Sequence, residues 1–192
     1  MASPGDRRRF GWWIAGAAVA SVLLRLPYLR APLSVDEAGA LTVARSWGAG
    51  QRLYVDTFID RPQGLVVAFQ RWDAAFGPGT SAVRALGILA GLASVLGCAV
   101  VARATSGRWS AAASAAWIVA VVSSSAAIEG YATNGELLAG AATVPAMALG
   151  ALVGASDKAE ELAASLQTRL DDVRATARRA SQRPRVYFEE WD

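Results

Sequence analysis

The sequence ALGILAGLASVLGCAVVA occupies residues 85–102 and contains no charged or amide side chain. A run of this kind approaches the ~20 apolar residues that a helix needs to cross the ~30 Å hydrocarbon core of a bilayer. It also carries Gly87 and Gly91 in a G-x-x-x-G spacing, which lets helix backbones approach closely in lipid. The stretch therefore predicts a membrane-spanning helix that packs against other helices.

Three further apolar runs, also rich in small residues, predict additional spans at residues 10–26, 109–128 and 137–155. The first run is short unless Arg25 snorkels at its far end. An AVA triplet at residues 18–20 leaves a cleaved signal peptide as the rival to a retained anchor. The predicted fold class is an all-α membrane protein with about four transmembrane helices.

Arginine placement predicts the orientation of these spans. Residues 7–9 are all arginine and precede the first run, while Arg103 and Arg108 fill the turn between the second and third runs. Positive charge marks the cytoplasmic side, so both segments are expected inside. The loop at residues 27–84 and the turn at residues 128–136 are then external.

Composition divides the chain near Ser156. Hydrophobic residues make up 54% of the whole, but the last 36 residues hold seven basic and eight acidic side chains. In this tail Leu162, Leu166, Leu170, Val173 and Ala177 form an apolar stripe at helical spacing, and a short strand is expected at residues 185–191. We expect a membrane region at 1–155 and a charged helix-strand tail at 156–192.

The external loop is predicted to contain secondary structure. Ser34 and Glu37 have capping-box spacing at the start of a helix whose apolar face includes Ala40, Val43 and Ala44. A second amphipathic stretch covers residues 64–77, where aromatic side chains with a basic partner suit the headgroup layer. The loop is therefore predicted to be structured and helical.

The available side chains restrict the chemistry. The chain has no histidine, and its single cysteine, Cys98, lies in an apolar run. Acid–base catalysis therefore falls to carboxylates. The arginines are scattered and the net charge is only +3, which gives no indication of nucleic-acid binding.

Several carboxylates lie in the loop and the turn that are predicted to be external. Asp36 and Glu37 lie in the first turn of the loop helix, where acids also complement the helix dipole, so capping alone is one interpretation. A functional interpretation joins them to other polar residues on the same side, namely Asp60, Arg61, Glu129, Asn134 and Glu136.

The order of these motifs resembles the N-terminal part of the GT-C glycosyltransferases. The motifs are an arginine-flanked helix, PLSVDEAG at residues 32–39, DRPQG at 60–64 and YATNGELLAG at 131–140, and the likeness covers about residues 8–154. This family includes the protein O-mannosyltransferases and the lipid A aminoarabinose transferase. The resemblance implies a bacterial plasma-membrane enzyme that transfers sugar from a polyprenyl-phosphate donor to a hydroxyl.

The resemblance also implies roles for individual residues. Asp36 matches the family's first-loop aspartate, which acts as a general base or orients the acceptor. Glu37 matches the residue next to that aspartate and is expected to be catalytic as well. Asp60 and Arg61 match the element near the donor phosphate. Glu129, Asn134 and Glu136 are expected to line the site. No cofactor is implied with certainty, and a divalent metal is left open. The expected partners are the donor, membrane lipid and other membrane helices.

Two further interpretations stay open. GT-C enzymes have many more spans, so residues 1–155 are expected to be a truncated region that is inactive alone. The tail faintly resembles the interlobe helix and strand of periplasmic cobalamin- or metal-chelate-binding proteins, but an ordinary amphipathic helix explains it equally well. The chain could therefore be a chimera with a transport-related tail, or a non-catalytic membrane protein whose loop acids only cap helices.

Overall fold

The computed structural model describes residues 4–152, 154 and 156–179 of the 192-residue chain. The described part is helical and contains no β-strand. Its elements are α1 (Pro4–Arg25), α2 (Val35–Gly48), α3 (Gln63–Phe76), α4 (Thr80–Ser106), α5 (Trp109–Val122), α6 (Gly135–Leu152) and α7 (Ser156–Arg179), with short 3-10 turns at Leu26–Tyr28 and Ala126–Ile128. The all-α prediction is confirmed for these residues.

Helix α4 is the centre of a bundle and contacts α1, α5 and α6. Small side chains dominate this interface: Ala17, Ala99, Ala112, Ala116 and Ala120 are buried around Val95. Gly97 lies so close to α6 that an added Cβ would be 2.8 Å from Val144 Cγ1. Alanine and glycine are frequent here because they let the backbones approach.

Two helical segments are long and apolar enough to cross a membrane, by length and composition: Gly5–Tyr28 and Thr80–Ser106. The predicted spans at 109–128 and 137–155 form shorter apolar helices. Helix α5 ends at Val122, six residues before the predicted end. Ser123, Ser124 and Ser125 follow, and serine hydroxyls compete for backbone hydrogen bonds, which favours a helix end.

Arg25 does not snorkel outward. Its side chain is 2% exposed and lies between α1, α4 and the end of α5. It donates to Gly87 O at 3.2 Å, to Ser124 Oγ at 3.2 Å and to Ser123 O. Gly91 leaves the space for the guanidinium, since an added Cβ there would be 3.0 Å from it. The G-x-x-x-G spacing therefore accommodates an arginine rather than only a neighbouring backbone.

Helices α2 and α3 form a second packed region. The capping box is present as predicted, because Ser34 Oγ accepts from Glu37 N and Glu37 Oε2 accepts from Ser34 N. The buried face of α2 includes Ala40, Val43 and Ala44, which pack with residues of α3 and the start of α4: Val66, Phe69 and Val83. The first predicted helix of this loop begins directly after Ser34, and the second, predicted at residues 64–77, is confirmed within one residue at each end.

The described residues of the tail, 154 and 156–179, belong to a second compact unit. Helix α7 begins at Ser156, where the composition changes, and is described to Arg179. Within this unit Leu166 and Leu170 are 48% and 52% exposed. The strand predicted at residues 185–191 lies outside the described residues.

Candidate functional site

A cleft of about 360 Å³ lies where α2, α3 and the start of α6 meet the segment before α3. Its floor is apolar and includes Ala40, Val43, Leu65 and Phe69. Its polar wall comprises Asp36, Asp60, Arg61, Thr133 and Asn134. The cleft therefore brings together four of the seven residues that were predicted from the sequence.

Arg61 is the charged centre of this cleft. Its guanidinium lies 3.5 Å from Asp36 Oδ2, 3.6 Å from Asp60 Oδ1 and 3.3 Å from Glu136 Oε1. The Arg61 side chain is 35% exposed, whereas the three carboxylates are 64%, 80% and 68% exposed. Long, exposed ion pairs of this kind contribute little to stability, about 0–1 kcal/mol each. The Arg61 guanidinium is therefore held by three weak contacts and stays partly exposed at the cleft.

Helix geometry gives Asp36 and Glu37 different environments. Asp36, at the second position of α2, has its carboxylate at the cleft and mostly in solvent. Glu37, at the third position, is 0% exposed. Consecutive residues of a helix do not face each other, so adjacent acids are directed apart.

The Glu37 carboxylate is fully occupied by protein donors. Oε1 accepts from Arg84 Nη1 at 2.7 Å and from Thr133 N at 2.6 Å, while Oε2 accepts from Ser34 N at 2.8 Å. Arg84 in turn donates to Pro32 O at 2.6 Å and lies over the Tyr131 ring at 5.0 Å. A buried carboxylate held by this many donors fixes the cleft wall and has no side open to a substrate.

The turn before α6 carries the remaining predicted residues. Asn134 Oδ1 accepts from Leu137 N at 2.9 Å and so caps α6 while lining the cleft. Glu136 reaches Arg61 from the first turn of α6. Glu129 has a left-handed backbone, φ 50°, and its exposed carboxylate makes no ion pair with any described residue. The structure therefore brings Glu136 to Arg61 but leaves Glu129 apart.

An apolar groove of about 550 Å³ continues from Arg61 between α3 and α6. Pro62, Leu65 and Ala68 form one side, and Leu138, Ala139 and Ala142 form the other. Arg61 and Glu136 are the charged residues of its lining. A chain of hydrocarbon fits such a groove, with a polar end directed toward Arg61.

The cleft has more negative than positive charge, with three carboxylates around one guanidinium. Within the described ranges these carboxylates do not come close enough together to form a metal-binding group. Each is instead directed at Arg61. The arrangement is suited to positioning a guanidinium and to accepting a proton at Asp36.

Sequence reasoning missed Arg84 and Thr133, which build the wall of the cleft. Thr133 Oγ1 donates to Val83 O at 2.8 Å, and Thr133 N donates to Glu37. Arg84 is separated from Glu37 by 47 positions. The available signal was the position of Arg84 at the edge of an apolar run, where an unpaired charge is costly and a partner is required.

Comparison of this chain with protein-family models, with curated proteins and with solved structures finds no match.

Proposed function

We propose that the chain forms the Asp36–Arg61 part of a membrane glycosyltransferase site of the GT-C kind, which transfers sugar from a polyprenyl-phosphate donor to a hydroxyl. The observation that carries the proposal is the position of Asp36 and Arg61 in one cleft, 3.5 Å apart and both accessible. A carboxylate accepts a proton from an attacking hydroxyl. A guanidinium binds phosphate oxygens through paired hydrogen bonds.

The order of events follows from these two groups. Asp36 removes the proton of the acceptor hydroxyl as its oxygen attacks the anomeric carbon of the sugar. The bond between that carbon and the phosphate oxygen breaks, and the phosphate leaves with the electron pair. Arg61 exchanges its long carboxylate contacts for the leaving phosphate and stabilises the developing charge. The transfer inverts the anomeric carbon without a covalent enzyme intermediate.

The groove between α3 and α6 supports a lipid-linked donor. It begins at Arg61 and is otherwise apolar apart from Glu136. A polyprenyl chain in this groove would place its phosphate at Arg61 and its sugar in the cleft beside Asp36. A free nucleotide-sugar would gain nothing from the apolar walls, which bury hydrocarbon at about 25 cal/mol per Å².

We further propose that α1, α4, α5 and α6 are four membrane spans of a plasma-membrane protein with a cytoplasmic N-terminus. The burial of Arg25 of α1 against Gly87 and Ser123 supports a retained anchor rather than a cleaved signal peptide. Helix α5 has 14 residues and so a length of about 21 Å. The segment 123–128 completes its crossing.

The sequence led us to expect a truncated region that is inactive alone, but the cleft and the groove are both lined by residues of this chain, so we propose that it turns over donor by itself. The experiment is donor turnover by the full chain in lipid vesicles, supplied with radiolabelled polyprenyl-phosphate-mannose or polyprenyl-phosphate-aminoarabinose and a hydroxyl acceptor. We expect release of polyprenyl phosphate from at least one donor, reduced about tenfold or more by Arg61→Gln because two charge-assisted hydrogen bonds are lost. Arg52→Gln is the matched control, since Arg52 pairs with Asp56 outside the cleft lining. No release from either donor, or equal release by the two variants, would refute the proposal.

A further inference from the structure

A third cavity, of about 540 Å³, lies at the other end of the bundle, between α1, α4 and α5. Its walls are Ile14, Leu96, Ala99, Val100 and Ala112, and its polar residues are Arg103 and Trp109. Neither polar residue belongs to the cleft around Arg61. The cavity is therefore an apolar groove with one cationic end.

The polar end of this groove has unused hydrogen-bond donors. Arg103 Nε and Trp109 Nε1 are both buried and lack a partner among the described residues. Arg103 lies over the Trp109 ring at 5.1 Å, a cation–π contact that holds the guanidinium against the indole. Each buried donor without a partner costs about 1–3 kcal/mol. Both atoms are shielded from solvent, so an oxygen-rich anion that displaces the two side chains slightly would satisfy both.

The surroundings of Arg103 are basic. Arg108 is exposed in the turn after α4. Ile14 lines the groove, and a rise of about 1.5 Å per residue places the exposed Arg7, Arg8 and Arg9 about two turns or less beyond it on α1. Among the described residues, no salt bridge joins Arg103 to a carboxylate. The positive charge at this end matches an anionic membrane surface.

We propose that this groove binds one anionic phospholipid, with its phosphate at Arg103 and the Trp109 N–H and an acyl chain along Ile14, Leu96 and Val100. The exposed Trp12 and Trp13 of α1 suit the membrane interface at the same end. Charge complementarity selects an anionic lipid over a zwitterionic one, and the apolar walls select a lipid over a free anion. The site does not depend on sugar transfer.

The test is native mass spectrometry of the full chain in detergent, titrated with phosphatidylglycerol and with phosphatidylcholine of the same acyl chains. We expect one phosphatidylglycerol to bind at least about tenfold more tightly, since the phosphate gains charge-assisted hydrogen bonds and the basic end favours net negative charge. Arg103→Gln removes this preference. Arg108→Gln carries the same charge change at an exposed position and should alter the affinity by less than about twofold.

Trp109→Phe serves as the second variant, because it keeps an aromatic ring and removes only the N–H donor. It should weaken phosphatidylglycerol binding about three- to tenfold while the protein stays folded. Equal binding of the two lipids would overturn the proposal, as would equal effects of Arg103→Gln and Arg108→Gln. Saturable binding of inorganic phosphate alone, at the affinity of the lipid, would show a free-anion site and also overturn it.

Discussion

Glu37 Oε1 lies 2.7 Å from Arg84 Nη1, and the two side chains are 0% and 2% exposed. This buried ion pair joins the first turn of α2 to the start of α4. The Thr133 N–H binds the same carboxylate oxygen, so the turn before α6 is held there too. One carboxylate thus fixes three segments that surround the cleft.

The first prediction concerns this pair. Glu37→Gln keeps the shape of the side chain but leaves the Arg84 guanidinium buried without a counter-charge. Removal of one partner of a buried pair costs about 3–5 kcal/mol, so we expect a loss of that size in the free energy of unfolding. Chemical unfolding in detergent measures it.

Asp36→Asn is the matched control, because it removes a neighbouring carboxylate that is 64% exposed. Its loss weakens only a surface pair and a dipole contact, about 1 kcal/mol or less. The double variant Glu37→Gln with Arg84→Met should recover part of the stability lost in Glu37→Gln. Equal stability of the two single variants would contradict a structural role for Glu37.

The second prediction concerns the contact between Gly87 and Thr133. A Cβ added at Gly87 would lie 2.4 Å from Thr133 Oγ1 and 3.5 Å from Thr133 Cα. Gly87→Ala therefore displaces Thr133 from Val83 O and should destabilise the protein by about 1–3 kcal/mol. Gly11→Ala, in open space on α1, should instead be neutral or stabilising by up to about 1 kcal/mol. Thermal unfolding in detergent compares them, and a neutral Gly87→Ala would be inconsistent with this packing.

The third prediction is an acid-sensitive contact between α2 and α3. Arg45 donates to both oxygens of Asp73, at 3.0 and 2.7 Å, and these hydrogen bonds lower the pKa of Asp73 below its ordinary value of 3.8. Because the folded pKa is the lower one, the stabilisation is complete above pH about 4 and is lost as the pH falls through the folded pKa. The loss of stability is measured by amide hydrogen exchange of α3 as the pH is lowered from about 6 to about 3.

Asp73→Asn should abolish this part of the acid dependence, and Arg45→Gln should do the same. Since both variants remove one interaction, their effects should not add. Additive effects, or an unchanged acid response of α3 in Asp73→Asn, would show that the pair does not couple the two helices.

The fourth prediction is the proposed topology. The chain contains one cysteine, so Cys98→Ala provides a background for single-cysteine labelling in sealed vesicles. Asp56→Cys and Glu129→Cys lie at exposed positions and should react with a membrane-impermeant maleimide from the external side. Arg108→Cys should react only after the membrane is permeabilised. Labelling of all three residues from one side would exclude the four-span arrangement.

The helices of the loop could be predicted because their signals are local. Ser34 and Glu37 are three positions apart, and the apolar face of α2 repeats within the helix. The end of α5 was missed because the three serines at residues 123–125 were counted within the apolar run, although serine favours a helix end. A side-chain donor, Arg25, binds the carbonyl of Ser123 from another helix.

The candidate site was predictable only in part, because some of its contacts join residues that are distant in the sequence. Asp36 and Arg61 could be placed on one side of the membrane by the predicted topology, but the burial of Arg84 against Glu37 depends on a contact across 47 positions. Arg25 was expected to snorkel at the end of its span, but the structure buries it, as it buries Arg84. The apolar run beside each arginine indicates that a buried charge would need a partner, but it does not identify that partner.

The most direct measurement is the steady-state rate of sugar transfer by Asp36→Asn. If Asp36 is the general base, kcat should fall at least about 100-fold. KM for the polyprenyl-phosphate donor should stay within about twofold, since the phosphate contact belongs to Arg61. Asp56→Asn, an acid paired with Arg52 outside the cleft lining, should retain the wild-type kcat. A wild-type kcat for Asp36→Asn would contradict its assignment as the base.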